Sequence, residues 1–167
     1  GIISNIETGV RAIDALIRKG FEKETVRQYE IQIIKGLERL KGQAQDIMKR
    51  AKNFLLIIAP NYGYVPPDII NKLPRNVRVH IAAGYFPENK GIVDELKKRG
   101  FTIQLRELKD NNVLGVVADM REALLSAIPP TFAEPENALG IFTNDETWVS
   151  FIHSQLSSIF MKGSRIR

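Results

Sequence analysis

Six consecutive residues, Phe54-Leu-Leu-Ile-Ile-Ala59, carry no polar side chain and end at Pro60. The run is too short for an amphipathic helix. Its lack of alternation fits a strand covered on both faces, the habit of a parallel sheet. A strand of that kind needs apolar layers above and below it, so the rest of the chain has to supply helices for two faces.

The flanking sequence supplies them. Leu37, Leu40, Ala44, Ile47, Met48 and Ala51 recur at helical spacing and mark an amphipathic helix. The β-branched stretch Tyr29 to Lys35 before it, closed by Gly36, reads as a strand. Pro66 and Pro67 open a short helix towards Leu73. Val77 to Ala82 then alternates, so that Val77, Val79 and Ile81 share one face and His80 takes the other. Ile92 to Gly100 gives a further helix with Gly100 as its cap, Phe101 to Leu105 a strand, and Val113 to Ala118 another apolar run.

Pro129, Pro130 and Pro135 mark an irregular connection before a strand at Ala138 to Phe142. Thr143 and Glu146 form the T-x-x-E capping box of a last helix, whose stripe is Val149, Ile152, Leu156, Ile159 and Phe160. At the other end, Ile6, Val10, Ile13, Leu16 and Ile17 stand at helical spacing and stop at Gly20. The expected fold is α/β, a mostly parallel sheet with helices on both faces, preceded by a short N-terminal helix. The expected division is a helical linker or dimerisation segment at 1–28 and an α/β domain at 29–167.

Composition removes several chemistries. With no cysteine among 167 residues, the chain has no disulfide, thiol nucleophile or thiolate metal site. No run of about 18 uncharged apolar residues and no secretory signal is present, so a cytoplasmic protein without membrane contact is expected. The chain begins at Gly1 and is expected to be a segment of a longer protein.

The net charge of +5 is unevenly spread: residues 1–109 hold 20 Lys+Arg against 12 Asp+Glu, and residues 110–167 hold 4 against 7. The bases stand beside acids on predicted helix faces, as in Glu38, Arg39, Lys41 and in Asp46, Lys49, Arg50, Lys52, which reads as a solvated surface. No zinc-finger or RNA-recognition signature accompanies them.

Catalytic motifs are scarce. The phosphate loops G-x-G-x-x-G and G-x-x-x-x-G-K-[ST] are absent, as are the G-x-S-x-G elbow and the H-E-x-x-H pair. Gly84 to Gly91 keeps two glycines at the wrong spacing. His80 and His153 lie on separate predicted elements, and Asp110, Asp119 and Glu122 form an acid set that could do acid/base work only if the fold brought its carboxylates together. No metal site and no cofactor is expected.

The order of these segments carries a resemblance. Tyr29-E-I-Q-I-I-K-G36, a helix, Ala51-K-N-F-L-L-I-I-A-P60, a strand at Val77, Leu114-G-V-V-A-D-M-R-E-A-L124 and Ala138-L-G-I-F-T-N-D-E-T-W148 before a terminal helix resemble the effector domain of TrmB-like archaeal transcriptional regulators. The resemblance implies a fold like one half of a phospholipase-D-type sandwich. It also implies an upstream winged helix-turn-helix that contacts DNA, a helical dimerisation segment of which residues 6–20 would be the remnant, and a homodimer.

The catalytic stretch of that enzyme family, H-x-K-x-x-x-x-D, supplies a test. Counting back from Asp119 puts Asn112 at the histidine position and Leu114 at the lysine position, so nucleophile and phosphate clamp are both missing. Asp119 then reads as a structural acceptor at a strand end, and the protein as a non-enzyme. Sugar-responsive members of the family carry a further segment after the α/β part, whereas this chain ends at Arg167, which points to dimerisation or multimerisation as the main role.

Ligands of parallel sheets bind beyond the carboxyl ends of the strands. Two loops leave such ends: Asn61, Tyr62 and Tyr64 after the 54–59 strand, and Tyr85, Phe86, Asn89 and Lys90 after the 77–82 strand. They are the candidate binding residues for a small polar effector. Rings that merely cap the sheet or bury an interface are the alternative for these residues, and a small-molecule-binding α/β enzyme is the alternative for the whole chain.

Overall fold

A computed structural model describes residues 2–25, 29–130 and 134–167. Its elements run α1 (Ile2–Thr25), β1 (Ile31–Lys35), α2 (Leu37–Lys49), β2 (Phe54–Ala59), α3 (Pro67–Asn71), β3 (Arg78–Ala83), α4 (Lys90–Leu96), β4 (Ile103–Glu107), β5 (Val113–Ala118), β6 (Glu122–Ala127), β7 (Leu139–Thr143), α5 (Glu146–Lys162) and β8 (Ser164–Arg165). They fall into two compact units, Gly1–Glu30 and Ile31–Arg167.

The first unit holds α1, which is longer than the 6–20 expected and passes through Gly20 to Thr25. A glycine inside a helix costs only about 1 kcal/mol relative to alanine, and the helix formers that follow it offset that. Ile2, Ile6, Val10 and Ile13 are exposed on this helix. The side chains of Leu16 and Ile17, which belong to the same expected stripe, lie outside the described residues.

The second unit is built on one eight-stranded sheet in the order β1-β7-β6-β5-β2-β3-β4-β8. Only β2–β3 and β3–β4 pair in parallel, and every other neighbour is antiparallel. The expectation of a mostly parallel sheet is therefore corrected to a mixed one. The apolar run 54–59 reports burial on two faces, and burial comes from the layers that cover a strand, not from the direction of its neighbours. β2 sits between antiparallel β5 and parallel β3 and is buried from Leu55 to Ala59 all the same.

Helices do cover both faces. Leu40, Ala44, Ile47 and Met48 of α2, with Ile70, Val93 and Leu96, pack on the side of Leu55, Ile57, Val79 and Ile81. Val149, Ile152, Leu156 and Phe160 of α5 pack on the side of Leu56, Ile58 and Val117. The central strands β2 and β5 thus send alternate residues to different helical layers.

Three local expectations are revised. β6 has no counterpart in the sequence reading. It follows β5 through a turn in which Asp119 and Met120 stand at φ 56 and 54 and the Arg121 N–H donates to the Ala118 carbonyl at 3.0 Å. The strand expected at 101–105 begins later, at Ile103, because residues 97–102 continue α4 as a tighter helix broken at Gly100, where φ is 68. The cap of α5 is Asp145, whose carboxylate accepts from the Trp148 N–H at 3.1 Å. Thr143 is instead the buried last residue of β7, and its hydroxyl oxygen accepts from the Asp145 N–H.

Candidate functional site

Parallel pairing sets the β2 and β3 carboxyl ends side by side, and the loops that leave them are knit together. Tyr62 donates its N–H to the Gly84 carbonyl at 3.0 Å, and Gly84 donates to the Pro60 carbonyl at 3.1 Å. A side chain at Gly84 would run into that Pro60 oxygen, which explains a glycine at this crossing. The Tyr62 and Tyr85 rings meet edge to face at 6.0 Å.

The seven candidate residues divide by what their polar atoms do. Asn61 accepts from the Gly63 N–H at 2.7 Å, and Asn89 accepts from the Phe86 N–H at 3.0 Å, so both carboxamide oxygens serve their own loops. Tyr62 is fully buried; its hydroxyl donates to the Arg106 carbonyl at 2.7 Å, and burial raises its pKa. Tyr64 is half-buried with the Lys41 ammonium 5.0 Å from its ring centre, and burial raises its pKa too. Phe86 shows about half of its surface, and Lys90 is exposed and paired with Asp94 at 3.0 Å. The loops therefore come together, and Tyr64, Tyr85, Phe86 and Lys90 form their accessible part. A cleft of about 230 Å³ lies elsewhere, lined by Lys49, Asp68, Ile69, Lys72 and Leu73.

Of the three acids, Asp119 and Glu122 flank the turn between β5 and β6, and Asp110 lies apart from both. Asp110 precedes β5 and Asp119 follows it, so a six-residue strand of roughly 20 Å separates them. Both Asp119 oxygens take main-chain donors: Lys52 and Phe54 at 2.9 Å and Asn53 at 2.7 Å. Glu122 holds the Arg50 guanidinium through its Nε and a terminal nitrogen, the shorter contact being 2.6 Å. Leu114 is buried in the α2-side core, and Asn112 is exposed.

The two imidazoles do share a neighbour, which separate elements in sequence could not show. His80 and His153 both set their rings edge-on against Phe54, at 5.3 and 6.1 Å. His80 also stacks on Phe160 at 5.1 Å and 6°, with the Arg106 guanidinium 4.4 Å from that same Phe160 ring. Burial, followed by the charges of Arg106 and Arg78, pushes the His80 pKa down. Among the described residues no cluster of three or more His, Asp or Glu side chains is placed to hold a metal ion, and no helix is long and apolar enough to cross a membrane.

No protein-family model and no curated protein matches the sequence. Solved structures are similar in fold. The chain superposes on TrmBL2, an archaeal chromatin protein whose structure shows a mode of DNA binding, with a TM-score of 0.68 and 16% identity, covering 96% of this chain and 67% of that one. It also superposes on Nuc, a phospholipase D family member from Salmonella typhimurium, with a TM-score of 0.60 and 13% identity over 84% of this chain and 99% of that one. NucT from Helicobacter pylori gives 0.58 and 10% over 83% and 100%. The α/β fold is thus phospholipase-D-like and is shared with TrmBL2.

Proposed function

We propose that this chain is the effector and oligomerisation domain of a TrmB-like transcriptional regulator. In this reading it is a non-catalytic, cytoplasmic α/β unit that forms a homodimer, and DNA is contacted by a helix-turn-helix outside these residues. The observation that carries the reading is the extent of the TrmBL2 likeness. It takes in 96% of the chain, against 84% for Nuc, and so reaches beyond the α/β unit that the phospholipase D fold accounts for.

The lack of catalysis rests on Asn112 and Leu114 standing where a histidine nucleophile and a phosphate-binding lysine are needed. The third member, Asp119, spends its carboxylate on three main-chain donors. A small polar effector would lie against Tyr64, Tyr85, Phe86 and Lys90, with Asn61, Tyr62 and Asn89 shaping the loops beneath it.

Incubation with bis-p-nitrophenyl phosphate is expected to give no turnover. Turnover abolished by Asp119→Ala would overturn the non-enzyme reading. An open reading frame without an upstream helix-turn-helix would overturn the regulator reading.

A further inference from the structure

The amino ends of β2, β3 and β4 meet along one end of the sheet, and cations far apart in sequence gather there. Asn76 donates its side-chain N–H to the Lys52 carbonyl at 3.0 Å, and Arg78 donates its main-chain N–H to the Asn53 carbonyl at 3.0 Å, which places Lys52 beside the 75–78 turn. Arg99 fixes that turn by donating to the carbonyls of Leu73, Pro74 and Val77.

Lys52, Lys72, Arg75 and Arg78 are all exposed, and among the described residues none of them is held in an ion pair. Of the acids nearby, Asp119 is engaged with main-chain donors, Glu122 with Arg50 and Glu95 with Lys98, while Asp68 lines the same cleft as Lys72. At the same end, just before β4, the Phe101 ring stands wholly in solvent and adds nothing to the core.

Unpaired cations spread over neighbouring strands attract a polyanion. The bare ring distinguishes among polyanions, because a duplex hides its base faces in the stack whereas a single strand offers them to an aromatic side chain. We propose that this end of the sheet binds single-stranded nucleic acid, with phosphates against Lys52, Lys72, Arg75 and Arg78 and one base stacked on Phe101. The surface lies at the opposite end of β2 and β3 from the 61–64 and 84–90 loops, so it is independent of any effector bound there.

Fluorescence anisotropy of the 167-residue chain with a labelled oligothymidylate, and with a duplex of equal length, tests this. The single strand is expected to bind more tightly. Phe101→Ala should weaken it about tenfold without changing the salt dependence, and Phe101→Trp should restore it. Arg75→Glu with Arg78→Glu should abolish most of the binding and lower the slope of log affinity against log salt by about 0.7 per lost contact. These side chains are exposed, so thermal melts matching the parent chain are expected for each variant. Preference for the duplex, an unaffected Phe101→Ala, or displacement of the oligonucleotide by polyglutamate as readily as by unlabelled strand would each overturn the proposal.

Discussion

Asp119 takes the Asn53 main-chain N–H at 2.7 Å, and through it the turn between β5 and β6 is fastened to the entry of β2. The residue that would close a phosphodiesterase motif is thereby a clamp between two segments 66 positions apart. It also sits in the left-handed conformation with its neighbour Met120, a geometry that side chains other than glycine adopt at some cost.

Replacing that carboxylate should be felt in stability. Asp119→Ala leaves three donors to water, and a loss of about 2 kcal/mol is expected, since bonds to a charged acceptor are worth more than neutral ones while two of the donors lie near solvent. Asp119→Asn keeps one acceptor oxygen and should lose less. Urea denaturation of the three proteins measures this, and equal midpoints would show that water substitutes fully.

Tyr62 gives a second test of what the candidate loops are for. Its hydroxyl serves the Arg106 and Ile81 carbonyls inside the protein. Tyr62→Phe should therefore cost about 1 kcal/mol, seen as a drop of roughly 2–4 °C in melting temperature. An unchanged melt would mean that these buried hydrogen bonds add no net stability.

His80 makes stability depend on pH. Its pKa lies below the ordinary 6.5 because burial and the Arg106 and Arg78 charges disfavour the imidazolium. Between the lowered native value and 6.5 the unfolded chain binds more protons than the native one, so unfolding free energy rises with pH across that window and falls as acid is added. His80→Phe, which keeps a ring against Phe160, should flatten this part of the profile. Denaturation at about pH 7.5 and about pH 5 in both proteins shows whether the slope belongs to His80.

Self-association is expected from two apolar surfaces. On α5, Trp148 and Phe151 are exposed with their rings 5.9 Å apart. On the sheet, exposed Ile33 pairs with Ile141, which in turn pairs with Leu125 of the α5-side core, so the isoleucines belong to the α5 side. Light scattering should report twice the 18.9 kDa chain mass. Ile33→Lys with Trp148→Lys should move the equilibrium towards monomer. A parent chain that is already monomeric would dispose of both surfaces.

What could be read beforehand follows physical lines. β2 was legible because two-sided burial removes every polar residue from a strand, and α2 because a stripe of Leu40, Ala44, Ile47 and Met48 needs only local periodicity. Strand direction leaves no such trace, hence the mixed sheet. β6 escaped because its turn uses Asp119 and Met120 at positive φ, without the glycine that usually announces a tight hairpin. In the candidate loops, Asn61 and Asn89 are as suited to bracing a turn as to holding a ligand, and only in the folded loops do their oxygens meet the Gly63 and Phe86 N–H groups that they brace. The cationic end of the sheet was hidden for a different reason: Lys52, Arg75 and Phe101 become neighbours only once β2, β3 and β4 lie side by side.

The strand order has a mechanical consequence. β1 and β8 are the outermost of eight strands, so the α/β unit is entered at one rim and left at the other, across seven spacings or roughly 34 Å. Tension between those ends would act across the strands and open hydrogen bonds one after another, like a seam unpicked from its edges. The two-residue β8 would part early, whereas β2 and its neighbours, clasped between two helical layers, would yield last.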